Sequence, residues 1–299
     1  GNNREIDVRQ GQRLTGEVFR MTSAMPVAEK VKCEKYQIYL LQDDLPGLEG
    51  KLVLDSNTAE FDLTLSAEML EQYSYLEIVS ANCSKTIKLS EIKDGPLEIV
   101  LQPQVVIKKP AIYLYPTERT QIVVTHTFKG RILNTYPAYD GNWTVVADPD
   151  GTLLNVRDHR FYKYLFWDGA YVFPDEHYKF NDGFYVKSQD YVSFLQSKLA
   201  AIGLNENEIN DFIVYWLPAM SKYKNCFVHF RINDNIDGSS VLVANPGPDT
   251  TIRVFMEFSG ASEFSSALRL PEQKLPSFVR RDFTLVEWGG AEIGSGQME

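Results

Sequence analysis

Two stretches of this chain carry polar side chains on one face and apolar ones on the other. In CFVHFRI, Val228, Phe230 and Ile232 alternate with His229 and Arg231; in TIRVFMEF, Ile252, Val254, Met256 and Phe258 share a face opposite Arg253 and Glu257. Period-two alternation is the mark of strands. If the two strands pair, His229, Arg231, Arg253 and Glu257 become neighbours on one sheet surface. A carboxylate among two guanidinium groups and an imidazole can bind an anionic group or hold an acid/base pair. The plainer alternative is a solvated face whose ion pairs contribute about 0–1 kcal/mol each.

Acid beside aromatic occurs twice, at Trp167-Asp168-Gly169 and at Glu287-Trp288-Gly289-Gly290. Glycoside hydrolysis needs two carboxylates roughly 5–10 Å apart, one with a raised pKa. Asp168 and Glu287 are therefore candidate acid and base, although no spacing rule brings them together. A tryptophan packed beside a turn-capping carboxylate is the commoner arrangement.

Aromatic residues crowd Lys109–Asp168, in KKPAIYLYP, TYPAYDGNW and FYKYLFWDG. Tyr136, Tyr139, Trp143 and Trp167 are the candidate ligand-binding rings, with Tyr113, Tyr115 and Trp216 as further members and Arg231 and Arg253 as polar partners. Such rings offer wide apolar faces with a polar tip and suit sugars or peptides. Against this, alternate rings in RFYKYLFW can simply fill a core beneath a sheet. Tyr136 and Tyr139 lie in a Pro-containing loop, where complete burial is harder.

Other chemistries are disfavoured. No GxSxG, P-loop, GxGxxG or HExxH string is present. Asn233–Gly238 echoes a calcium loop, but its twelfth position is Ala244, which cannot ligate; an Asn/Asp turn is expected there. His126 falls on an apolar face and reads as a core histidine, while His159 and His177 lack metal-ligand spacing. Cys33, Cys83 and Cys226 form no CxxC pair, so zinc is not expected. Whether Cys33 and Cys83 pair is open, and Cys226 reads as core. We expect neither a metal nor a cofactor.

The net charge of -10 over 299 residues, with no basic stripe beyond Lys108-Lys109 and Arg280-Arg281, argues against nucleic acid as a partner. No apolar run reaches the roughly 20 residues that span a bilayer. Gly1 stands where an initiating Met would, and the polar lead-in Asn2–Asp7 reads as chain following an export signal or lipid-attachment site. An extracytoplasmic location, periplasm or cell surface with a lipid anchor, is expected.

The elements that must position these residues fall into two groups. Up to about Gln104, short alternating runs (RLTGEVFRM, KYQIYLLQ, GKLVLD, AEFDLTLS, SYLEIVS, KTIKLS, LEIVLQP) are bounded by Gly, Pro, Asn or Asp. This predicts an antiparallel β-sandwich over 1–104, with one helical turn capped by Ser66. Pro103 and Pro110 mark 105–110 as a hinge. Residues 111–290 read as a larger α+β domain with a mostly antiparallel sheet, and 291–299 as a flexible tail. Helical spacing at Val192, Leu195, Leu199 and Ile202 ends at Gly203; Asn205 caps a short second helix with Glu208 at N3. FIVYWL (Phe212–Leu217) is expected to be a strand stopped by Pro218. The whole is mainly β with α+β character.

Leu14–Val18 (LTGEV), Leu54–Leu65 (LDSNTAEFDLTL) and Gly95–Pro103 (GPLEIVLQP) resemble the transthyretin-like, carboxypeptidase-regulatory-type sandwich of exported bacterial proteins. The chain departs from that pattern by placing Ala59 and Glu60 before Phe61 where an Asp-x-x-Gly-x-Phe turn is usual. The resemblance implies an accessory module. Over Lys109–Gly290 the ordered strings KPAIYLYP, TYPAYDGNW, PDGTL, YLFWDG, FIVYWLP, RVFM and VEWGG resemble a bacterial family with no established function, so they imply no activity. The composite expectation is a binding module that recognises glycan or peptide through exposed aromatics. Its alternatives are a hydrolase using the acid pairs above and a structural or assembly component.

Overall fold

The computed structural model describes residues 10–23, 25–45, 48–261 and 269–293. The protein is mainly β with few helices, a β-rich α+β fold. It divides into two compact units: one holds the chain up to Gln104 and the segment Val172–Lys179, the other Val105–Tyr171 and Phe180–Ile293.

The first unit comprises β1 (Gln12–Ser23), β2 (Glu29–Lys32), β3 (Tyr36–Leu41), β4 (Lys51–Ser56), β5 (Glu60–Leu65), α1 (Ala67–Gln72), β6 (Tyr75–Ser80), β7 (Cys83–Lys88) and β8 (Leu97–Pro103). The long β1 serves two partners on one edge, pairing β5 through its first half and β2 through its second. Strand β8 runs beside β1 over Leu97–Leu101 and then turns to β7 through Gln102 and Pro103. It thereby joins β1 and its partners to the β7-β6-β3-β4 run. Alternation in EFDLTL appears directly as alternating exposure along β5. Leu14, Val18, Ile38, Leu40, Leu65, Leu76, Ile78 and Leu101 from both sides fill one core. Ser66 accepts from the Met69 N–H and caps α1.

One pair departs from the antiparallel expectation, since β1 and β8 are parallel. Gly16 makes their approach possible: a Cβ there would lie 2.3 Å from the Leu97 carbonyl oxygen. Asp175, from the later segment, accepts from Lys85 Nζ at 2.6 Å and Gln102 Nε2 at 3.0 Å within this unit.

The second unit comprises β9 (Val105–Tyr115), β10 (Thr120–Phe128), β11 (Arg131–Tyr136), β12 (Trp143–Ala147), β13 (Leu153–Asn155), β14 (Phe161–Tyr162), β15 (Leu165–Tyr171), β16 (Phe184–Lys187), α2 (Tyr191–Ile202), α3 (Glu206–Met220), β17 (Asn225–Ile232), α4 (Asp234–Asp237), β18 (Ser240–Asn245), β19 (Thr250–Gly260) and β20 (Thr284–Glu292). A seven-stranded sheet has the order β11-β15-β9-β20-β19-β17-β16, and a five-stranded sheet the order β14-β13-β12-β10-β18. All pairs are antiparallel except β19–β20.

Helices α2 and α3 cover one face of the larger sheet. Leu195, Leu199, Phe212, Trp216 and Met220 pack on Tyr113, Val254, Met256, Val286 and Trp288. The five-stranded sheet approaches the other face, where His126 and Phe128 meet the Trp167 ring at 4.3 and 5.0 Å. Covered on both faces, β9, β19 and β20 read as near-continuous apolar runs.

Five expectations are corrected. Residues 105–110 are no hinge but the first half of β9. Relative to both β15 and β20, β9 carries one extra residue between Ile107 and Ala111. Pro110 sits in that bulge, where a missing N–H costs the ladders least. FIVYWL is not a strand: it continues α3, because Ile209, Phe212, Trp216 and Met220 make a helical stripe on the core, and Pro218 lies in the last turn. RFYKYLFW is split between β14 and β15, which belong to different sheets. Within Asn233–Gly238, the residues Asp234–Asp237 form the short helix α4. The first residues of the expected tail continue into β20, and 294–299 lie outside the described residues, as does the lead-in Asn2–Asp7.

Candidate functional site

The parallel β19–β20 register sets Arg253 opposite Glu287. Arg253 Nε donates to Glu287 Oε1 at 2.8 Å, and Trp167 Nε1 donates to Oε2 at 3.0 Å. Other guanidinium N–H groups reach Asp237 Oδ1 at 2.7 Å, the Ser240 carbonyl at 2.6 Å and Ser240 Oγ at 2.8 Å. His126 Nε2 lies 2.7 Å from the same hydroxyl. Glu287 and Ser240 are completely buried, and Arg253 is 2% exposed. Both carboxylate oxygens are thus occupied by donors inside a buried network, whose exposed member is Asp237. Glu287 and Arg253 are core residues, which corrects their expected roles as base and ligand contact. The five-stranded sheet covering that face is the physical reason.

Burial pushes the His126 imidazole down to about 4, with Glu287 opposing the shift and Arg253 adding to it. An unfolded histidine near 6.5 takes up a proton that the folded one refuses, so the unfolded state binds more protons between these values. Stability is therefore complete above pH about 6.5 and lost as pH falls toward about 4, by about 3 kcal/mol over the window. Urea melts at a series of pH values should show this slope, and His126→Asn should flatten it. An unchanged slope in the variant would assign the loss to other groups.

His229, Arg231 and Glu257 do come together, as the paired strands require. Arg231 Nε donates to Glu257 Oε1. His229 Nδ1 is 3.8 Å from Glu257, and Nε2 is 3.3 Å from Asp182 Oδ1. The Phe180 ring lies edge-on to His229 at 5.1 Å and beneath the Arg231 guanidinium at 5.4 Å. His229 and Glu257 are 9% and 4% exposed. The cluster is a buried ion pair with an imidazole beside it, and Arg253 belongs to the other network.

Asp168 and Glu287 form no acid/base pair. Trp167 points toward Glu287, so its neighbour Asp168 faces the other side of the sheet. There Asp168 accepts from Asn134 Nδ2 at 3.0 Å. Its charge, after burial, helps raise the pKa of Tyr215 on α3.

Among the candidate rings, Trp143 and Trp167 are sealed in the core at 1% and 0% exposure. Trp143 Nε1 donates to the Pro137 carbonyl at 2.9 Å. The Tyr139 ring packs edge-on to Trp143 at 4.8 Å, and its hydroxyl accepts from the His126 N–H at 3.1 Å and donates to the Gly141 carbonyl. Trp143 and Tyr139 pin the loop that carries Pro137 and Gly141, while Trp167 belongs to the Glu287 network. Tyr136 stays 60% exposed, edge-on to Tyr162 at 4.9 Å.

Next to Tyr162 a cleft of ≈ 520 Å³ opens, lined by Tyr113, Tyr115, Asp150, Thr152, Phe161, Lys163, Asn205 and Asn207 among others. Strand β9 supplies its paired tyrosines, the Asp148–Thr152 turn one wall, β14 its exposed ring and the start of α3 its amides. Phe161 is 69% exposed. The tyrosine hydroxyls are committed: Tyr113 donates to Asp211 Oδ2 at 2.7 Å and Tyr115 to Glu208 Oε2 at 2.6 Å. Burial, and then the carboxylates they face, push both phenols far up, so they stay donors. Lys163 reaches Asp211 at 2.8 Å. The backbone N–H of Thr152 holds the Asp150 carboxyl below its usual range, leaving an ionised acceptor at the rim. Gly151, at φ +94°, lets the turn lie on Tyr115; a Cβ would fall 2.7 Å from that ring.

Sequence reasoning missed this cleft. The turn and Asn205 were legible as fold features only, and Phe161 and Lys163 were absorbed into one alternating strand. A break in that strand, at the charged Lys163 between two tyrosines, was the available signal.

Among the described residues no group of three His, Cys, Asp or Glu side chains is placed to hold a metal. All three cysteines are buried free thiols. Burial raises Cys83 and pushes Cys226 up to about 11, which makes them poor nucleophiles. No helix among the described residues is long and apolar enough to cross a membrane. Comparison with family models, curated proteins and solved structures finds no match to the chain.

Proposed function

We propose that the second unit is a glycan-binding module whose ligand docks in the cleft between Phe161 and the Asp148–Thr152 turn. The observation that carries this reading is Phe161 standing 69% exposed at a cleft that also offers a hydroxyl, two amides, a carboxylate and an ammonium group. An apolar ring beside short-range donors and acceptors of both kinds matches a polyhydroxylated ring, which has apolar C–H faces and polar edges. Tyr136, packed on Tyr162, extends the aromatic surface beyond the cleft. The binding site thus differs from the four rings singled out in the sequence, of which Tyr136 retains a role.

Glycan-array screening of the purified protein, followed by calorimetry on the best neutral oligosaccharide, tests this. Phe161→Ala should weaken binding about 10-fold or more, near 1.4 kcal/mol, and Tyr136→Ala by less. If only extended peptides bind, or if Phe161→Ala binds as the parent does, the proposal fails. An extracytoplasmic, lipid-anchored location belongs to the same proposal; what supports it is the resemblance of Leu14–Val18, Leu54–Leu65 and Gly95–Pro103 to sequence strings of exported sandwiches. Cell fractionation that finds the full-length protein in the cytosol would overturn that part.

A further inference from the structure

The five-stranded sheet turns Trp143, Val145, Leu153 and Tyr162 inward, so the alternate residues face outward. In register across the strands, Thr125 lies opposite Val243, Val146 opposite Leu154, and Leu154 opposite Phe161. On β10, Gln121 lies opposite Val146 and extends the row from Phe161, while Val123, opposite Thr144 and Asn245, begins the neighbouring row. The outward positions of these strands, all among the described residues, hold no charged side chain. A solvent-facing sheet surface ordinarily carries both signs of charge. Here the chain is 23% charged with a net charge of -10, yet this face is neutral, with Val243 53% and Phe161 69% exposed.

We infer that this face is the continuation of the binding site and takes an uncharged linear polysaccharide that runs on from the cleft. The inference rests on the reading of the cleft as a glycan site. Phe161 supplies the continuity, since it lines the cleft and ends the outward row. Electrostatics select the ligand: the outward strand positions carry no cation for a uronate or sulfate, Arg157 at their rim is held by Asn142 and the Asp140 carbonyl, and the net charge repels polyanions. Area decides against a second copy of the chain. Strands of nine, five, three, two and six residues, at about 3.4 Å per residue and about 4.8 Å per strand, give a face of about 400 Å². A stable protein interface needs about 800 Å² from each partner. A single polymer chain needs only a strip of that width.

A ladder of neutral cello-, xylo- and manno-oligosaccharides, from dimer to octamer, titrated calorimetrically into the intact protein, tests the inference. For the series that binds, affinity should rise about 10-fold from dimer to octamer. Val243→Asp and Thr125→Asp, on the exposed face far from the core, should remove that gain and leave dimer binding unchanged. Two variants guard against one of them misfolding, which thermal melts would reveal. Affinity independent of length overturns the inference while the cleft reading stands. Failure of every saccharide to bind overturns both. Concentration-dependent self-association that Val243→Asp abolishes would give the face to a second copy and overturn the inference alone.

Discussion

Glu287→Ala is expected to cost about 3–5 kcal/mol of folding stability, the range for breaking a buried ion pair by removing one partner. The substitution strips Arg253, itself 2% exposed, of its buried carboxylate and leaves the Trp167 N–H without its acceptor. Asp237, at 51% side-chain exposure, remains as a solvated substitute that cannot repay desolvation of the guanidinium. For a unit of this size each kcal/mol moves the melting temperature by about 2–4 °C, so a fall of about 6–20 °C is expected. Glu287→Gln preserves shape and one acceptor and should fall between parent and Ala variant. Combining Glu287→Ala with Arg253→Met should recover part of the loss, because no charge is then left stranded. Urea and thermal denaturation measure all four proteins. A Glu287→Ala loss below about 1 kcal/mol would mean that water enters the network and that the core is not sealed as described.

Glu208→Ala should rival it, with an effect on binding as well. Glu208 is completely buried at the start of α3 and has three tasks. It accepts from the Asn205 N–H at 2.9 Å to close the capping box, from Arg280 at 2.6 and 3.0 Å, and from Tyr115 at 2.6 Å. Loss of the charge pair costs up to about 3–5 kcal/mol, less whatever Arg280, 25% exposed, regains from water, while the Asn205 side chain still accepts from the residue-208 N–H. Tyr115 forms the cleft floor beneath Gly151, so oligosaccharide affinity should drop even at temperatures where the variant is folded. Glu208→Gln keeps the cap geometry and should retain more of both properties. Unaltered affinity in a folded Glu208→Ala protein would separate the cleft from the helix start.

Patterns governed by neighbouring residues were legible in the sequence. EFDLTL alternates in exposure as it alternates in hydropathy, Ser66 and Asn205 cap the helices they precede, and Gly203 ends α2 at φ +130°. The pairing of CFVHFRI with TIRVFMEF also followed from their matched faces. Reasoning failed where a distant layer decides. Phe212–Leu217 is β-branched and aromatic enough for a strand, yet the sheet beneath it selects the helical stripe of Phe212, Trp216 and Met220. Arg253 and Glu287 looked solvent-facing because nothing local announces that a second sheet covers them. Trp143 and Trp167 looked available for the same reason. The cleft assembles the end of β9, one turn, the short β14 and a helix start, and no single stretch of sequence carries that arrangement.

Val172–Lys179 belongs to the first unit although the chain reaches it only after most strands of the second have been made. Asp175 completes contacts with Lys85 and Gln102 that were laid down far earlier. A growing polypeptide therefore cannot finish its first unit when Gln104 leaves the ribosome. Lys85 waits for a counter-charge until Asp175 emerges. Deletion end-points at Gln104 would likewise produce an N-terminal fragment missing a piece of itself.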